Sequence, residues 1–106
     1  MTRALINVPA RARRGQVIEI KTLIPHEMET GFRYTTTGER KPRNIIHTFV
    51  AIYNGEVIFR TELHAAIAAN PFLTFHTVAT ESGTIVVRWE GDNGFSATEQ
   101  AKITVE

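Results

Sequence analysis

A histidine and two glutamates stand within four positions in the stretch "IPHEMETGFR" at 24–33, as His26, Glu27 and Glu29. Imidazole and carboxylate are the side chains that ligate metals and move protons near neutral pH, so this is the first place to look for chemistry. Three further histidines, His47, His64 and His76, bring the total to four. Histidine and carboxylate can hold zinc, but none of the four histidines has a second one at the short spacing of a sequence-local metal motif. The bland alternative is a set of surface or hydrogen-bonded core histidines. Superoxide reductases and cupredoxins hold iron and copper on sandwich scaffolds, and both need a cysteine thiolate to tune the metal. The chain has no cysteine, so neither site can be built here, and no cofactor is expected.

Glu27 and Glu29 are two apart and would share a face of an extended strand, whereas glycoside hydrolysis needs two carboxylates on opposite sides of a cleft. The sequence carries no serine elbow, phosphate-binding loop or dinucleotide fingerprint. These absences point away from an enzyme. Basic runs at 11–14 ("RARR") and 39–43 ("ERKPR") can neutralise phosphates. However, the net charge is only +1 and the sequence pI about 8.2, and stacking aromatics are scarce beside those runs, so nucleic acid is not an expected partner. Charge is unevenly spread: residues 1–43 hold nine Lys/Arg against four Asp/Glu, and residues 44–106 hold three against seven. Such asymmetry can mark an interaction surface.

The elements that must position these groups read as short strands. "QVIEIKTLI" at 16–24 sets Ile18, Ile20 and Ile24 against Glu19 and Lys21 with period two. "ALINV" at 4–8 reads as a strand and "PARARRG" at 9–15 as a basic loop. "NIIHTFVAIYNGEVIFRTEL" at 44–63 is a hairpin about Asn54-Gly55, a pair suited to the positive φ of a tight turn. On its second strand Val57, Phe59 and Leu63 are expected on one face. Strands follow at 72–80, 83–91 and 95–106, with Trp89 expected in the core, and only 64–70 suggests a helical turn. With 106 residues this predicts one domain over 1–106: an all-β, immunoglobulin-like antiparallel β-sandwich of about seven strands. No apolar run is long enough to span a bilayer as a helix. The segment from Pro25 to Pro42 is long for a hairpin connection. It mixes Met28, Phe32 and Tyr34 with Glu27, Glu29 and Arg33, a composition that suits a protein interface.

Several phrases together resemble one family: "IPHEMETGFR" (24–33), "PRNIIHTFVAIYNGEVIFR" (42–60), "ANPFLTF" (69–75) and "SGTIVVRW" (82–89). They resemble SoxZ, the Z-subunit family of the sulfur-carrier complex of thiosulfate oxidation, in order and over nearly the whole chain. The resemblance implies an immunoglobulin-like, non-catalytic subunit in a heterodimer with SoxY, which carries the sulfur substrate on a cysteine of a flexible arm. It also implies transient contact with haem-containing SoxAX, manganese-dependent SoxB and SoxCD. The N-terminus lacks a signal-peptide pattern, which alone would suggest the cytoplasm. The resemblance implies the periplasm instead, by co-export with the partner.

A scaffold without cysteine cannot form mixed disulfides with a carrier thiol. On this basis His26, Glu27, Met28, Glu29, Phe32, Arg33 and Arg43 are expected to bind the partner, with Met28 and Phe32 as apolar anchors. Either Arg11, Arg13 and Arg14 or Arg40, Lys41 and Arg43 are expected to help attract acidic partner surfaces or the anionic sulfur adduct. With the partner absent, the exposed patch is expected to favour self-association. The alternative is a stand-alone fibronectin-like or immunoglobulin-like interaction module.

Overall fold

In the computed structural model, residues 4–64 and 69–106 are described. Eight strands run in chain order: β1 (Leu5–Asn7), β2 (Arg11–Ala12), β3 (Val17–Leu23), β4 (Ile46–Tyr53), β5 (Glu56–Glu62), β6 (Phe72–Val78), β7 (Gly83–Gly91) and β8 (Ser96–Val105). They form a three-stranded sheet, β1-β3-β6, and a five-stranded sheet, β2-β8-β7-β4-β5. The result is an all-β sandwich of the immunoglobulin-like kind. Part of the loop expected at 9–15 is strand instead. Arg11–Ala12 pairs with Thr104–Val105 and does so in parallel, so the sandwich is not wholly antiparallel. Ala12 is buried there, which gives the basic run an apolar foothold at the sheet edge. The helical turn expected at 64–70 falls largely on 65–68, outside the described residues.

Period-two patterning explains the layers. In β3 the side chains of Ile18, Ile20 and Thr22 point inward and are buried, while Glu19 and Lys21 face solvent. The inward Thr22 satisfies its hydroxyl by donating to the Leu73 carbonyl at 3.1 Å, as a buried polar group must. Facing them, β4 supplies Phe49, Ala51 and Tyr53, and β7 supplies Ile85, Val87 and Trp89, all buried. Phe49 is the hub between layers. Its ring lies 5.5 Å from Trp89, 5.9 Å from Phe75 of the other sheet and 6.1 Å from Phe59, and Phe59 stacks on Phe75 at 4.9 Å. Such offset and edge-on aromatic pairs add to the burial of the rings.

The turn at Asn54-Gly55 has φ of 49° and 84°, the left-handed pair that a two-residue hairpin requires. Beyond it the alternation on β5 breaks. The β4–β5 register shifts between Ala51 and Ile52, so Ala51 pairs with Phe59 but Ile52 pairs with Val57. Ile58 is the extra residue of a bulge, and a bulge reverses the face on which later side chains fall. Phe59 and Leu63 therefore pack inward while Val57 is exposed, contrary to the shared face expected for the three.

A pinned basic arm at residues 25–43

Between β3 and β4 the chain leaves the sandwich and returns as a narrow arm. Its base is built by a local turn. Met28 takes φ of 51°, and its N–H donates to His26 Nδ1 at 3.0 Å. A left-handed φ is costly for a methionine, and burial of its side chain compensates: Met28 is 4 % exposed, and its sulfur accepts a hydrogen bond from the Ile46 N–H at 3.3 Å. Glu29 and Asn44 exchange backbone hydrogen bonds at 2.7 and 2.8 Å, closing the base as an antiparallel bridge. Further out, Tyr34 bridges Arg40, Lys41 N–H donates to the Arg33 carbonyl at 2.9 Å, and Thr35 N–H donates to the Glu39 carbonyl at 2.6 Å. The segment is thus a hairpin in miniature. Gly31, with φ of 85°, faces the Arg43 backbone so closely that an added Cβ would stand 3.1 Å from Arg43 Cβ.

Charge pins this arm. Glu29 is 6 % exposed. Arg33 Nε donates to both its oxygens at 3.1 Å and Arg33 Nη2 to one at 2.6 Å, while Lys41 Nζ stands 3.4 Å away. The Arg33 hydrogen bonds, with the charges of Arg33 and Lys41, outweigh burial and hold the Glu29 carboxyl at about 2 instead of its ordinary 4.5. In that range the unfolded chain binds more protons than the folded one. The contribution of Glu29 is therefore complete above about 4.5 and is lost as pH falls towards about 2. Glu29→Gln keeps the shape and removes the charge. Its thermal midpoint is expected to depend less on pH across that window than the parent's, and identical pH dependence in calorimetry would show that the pair does not stabilise the fold.

At the base, Arg43 makes a two-pronged ion pair with Asp92, Nε and Nη2 each 2.8 Å from a carboxylate oxygen, and Asp92 Oδ2 also accepts the Ile45 N–H at 3.1 Å. These contacts lower the Asp92 carboxyl, the Arg43 hydrogen bonds first. They also tie the arm to the Asp92–Gly94 turn between β7 and β8.

The residues expected to bind a partner thus divide into two groups. His26 is half-buried, its ring edge-on to Phe95 at 4.8 Å, and burial lowers its pKa although Glu27 and Asp92 pull the other way. Glu27 is exposed and accepts from Asn44 Nδ2 at 3.1 Å. Met28 and Glu29 are buried, so Met28 is not a surface anchor: its short distance from the Ile46 backbone places it in the core. Phe32 is 70 % exposed and Tyr34 is 68 % exposed. Arg33 and Arg43 present exposed guanidinium groups that are already engaged with Glu29 and Asp92.

Arg40 and Lys41, expected only to steer, line the arm's own cleft. The charge run at 39–43 signals them, but only the hairpin brings Arg40 over Phe32, 5.6 Å from its ring centre. Among the described residues no three histidine or acidic side chains gather as metal ligands would. His76 stands 3.4 Å from Glu19 and His47 bonds Thr48 at 2.8 Å. A surface groove of about 630 Å³ runs between β5 and β6 beside Tyr53 and Ile58.

Fold and arm together define a two-sheet β-sandwich carrying a loop pinned by ion pairs. The family model for the sulphur oxidation protein SoxZ matches residues 6–102, and the chain belongs to that family. Its role therefore lies in sulphur oxidation. No curated protein gives a significant sequence match. Among solved structures the fold is similar to the superoxide reductase (neelaredoxin) of Ignicoccus hospitalis, with 16% identity and a TM-score of 0.77 over 97% of this chain and 80% of that one. It is also similar to the sulfur carrier protein SoxY of Chlorobium limicola f thiosulfatophilum, with 10% identity and a TM-score of 0.64 over 97% and 78%. At such identities these likenesses speak for the fold alone. A superoxide-reductase-like fold raises the question of iron, and the residues here do not fit it. The chain has no cysteine, and although His47 and His64 share a surface cleft, no three ligand groups gather there as a metal site among the described residues.

Proposed function

We propose that this chain is the non-catalytic subunit of a SoxYZ sulfur-carrier heterodimer in thiosulfate oxidation, scaffolding a SoxY-type subunit that bears the sulfur substrate on a cysteine. The observation that carries this reading is the family match over 6–102. The lack of any thiol supports it, since a scaffold cysteine would compete by thiol–disulfide exchange. The partner surface on this reading includes the exposed end of the arm. Phe32 and Tyr34 offer apolar area, Arg33 and Arg43 offer charge, and His26, Glu27, Met28 and Glu29 hold the loop in shape. An anchored loop loses little entropy on binding. The complex works in the periplasm, this chain reaching it by co-export with its partner, and it meets SoxAX, SoxB and SoxCD transiently as they act on the bound sulfur. Left alone, the chain self-associates through the uncovered patch.

Co-expression with a SoxY-type subunit, followed by size-exclusion chromatography with light scattering, tests this. A stable one-to-one complex is the expected result. A chain that stays monomeric beside its partner would leave a stand-alone interaction module as the better description.

A further inference from the structure

Arg40 is the arm's uncommitted cation. Every Asp and Glu of the chain lies among the described residues, and carboxylates pair with Arg33, Lys41 and Arg43 but not with Arg40. Its guanidinium is nevertheless held in place. Nε donates to the Gly31 carbonyl, and the group lies over the Phe32 ring. The two terminal nitrogens have no hydrogen-bond partner among the described residues. Arg40 lines a cleft of about 350 Å³ whose walls also include Thr30, Phe32, Lys41, Pro42 and Arg43. A guanidinium already oriented by stacking and by one hydrogen bond loses less freedom on binding, and its planar pair of donors matches a carboxylate.

We infer that this cleft binds one carboxylate side chain of an acidic segment of the partner protein, the two oxygens on the terminal nitrogens of Arg40 and an adjoining apolar side chain against Phe32 and Pro42. This rests on the reading of the arm as a partner surface and names the chemistry that surface selects. Charge complementarity favours that occupant. Residues 25–43 hold four Lys/Arg against three Glu, and of those four cations Arg40 alone has no carboxylate beside it, so a carboxylate of the partner is drawn to it. A small doubly charged oxyanion is a poorer fit. Such an ion needs several converging donors, and the cleft's other two cations, Lys41 and Arg43, already face Glu29 and Asp92. The ring of Phe32 would also lie against nothing. Aromatic and arginine side chains side by side are the composition of binding hot spots.

Isotope-labelled chain titrated with the capped tripeptide Ac-Glu-Leu-Glu-NH2, and separately with sodium sulfate at equal ionic strength, tests the site by amide chemical shifts. The expected result is saturable movement of Gly31, Phe32 and Arg40 with the peptide, weakened at least about fivefold in Arg40→Gln, the loss expected when a charge-assisted pair is removed. Circular dichroism and melting of that variant should match the parent. Absence of saturable shifts, or equal affinity in the variant, would overturn the inference. Sulfate binding as tightly as the peptide would overturn it too, and make the cleft a small-oxyanion site. In the assembled heterodimer Arg40→Gln should weaken affinity about tenfold and reduce its salt dependence. An unchanged constant there would discard the cleft while the carrier-subunit reading stood. Failure to assemble at all would discard that reading instead, with the peptide titration still deciding the cleft.

Discussion

Trp89→Ala should lower stability by about 3–5 kcal/mol, the range for removing a large aromatic from a packed core. The side chain is fully buried on β7 and its ring meets the Phe49 hub at 5.5 Å. Removing it takes away packing that β4 and β7 share with Phe75 of the opposite sheet, so the loss falls on the contact between layers. A melting-point drop of more than about 10 °C would accompany it in a domain of this size. Trp89 Nε1 has no hydrogen-bond partner among the described residues, and an unsatisfied buried donor itself costs about 1–3 kcal/mol. Trp89→Phe should therefore cost distinctly less than Trp89→Ala, because it deletes that orphan donor while keeping most of the ring. Chemical denaturation of both variants decides the matter. A change below about 1 kcal/mol for the alanine variant would place the side chain outside the core.

The second large effect separates two neighbours that look alike in sequence. Met28→Asp should destabilise the domain by several kcal/mol, since it buries a charge where the Met28 sulfur now meets the Ile46 N–H at 3.3 Å. It also unseats the Glu29–Asn44 bridge at the arm's base. Phe32→Asp should leave the stability within about 0.5 kcal/mol of the parent, because its ring is exposed and surface changes are usually small. It should nevertheless weaken assembly with a SoxY-type subunit by an order of magnitude or more, the scale on which exposed aromatic anchors act. Melting curves paired with binding measurements give the contrast. A Phe32 variant that assembles normally would remove this side chain from the interface, and a Met28 variant that melts like the parent would free that residue from the core.

These expectations show where local sequence suffices. Alternation of Ile18 and Ile20 with Glu19 and Lys21 determined β3, because side chains of a strand alternate faces whatever lies opposite. Asn54-Gly55 determined the hairpin, because its turn demands positive φ at both positions. Order and length of the quoted phrases were enough to indicate the family, which the family model matches over 6–102. The interface-like mixture at 25–42 was also legible, since composition alone reveals a loop rich in aromatics and arginine.

Distant contacts decided the rest. Val57 was expected beside Phe59, but the bulge opposite Ala51 and Ile52 depends on how two strands pair and leaves no mark in either one. The short strand at Arg11–Ala12 exists because β8 presents Thr104–Val105 to it, ninety-three residues away along the chain. Met28 and Phe32 both read as apolar residues in a polar loop. Only the left-handed turn at Met28, hydrogen-bonded to His26, sends one inward and leaves the other in solvent. The same folding leaves Arg40 as the cation of the arm without a carboxylate beside it, which no list of charges reveals, because pairing is a property of distance in space.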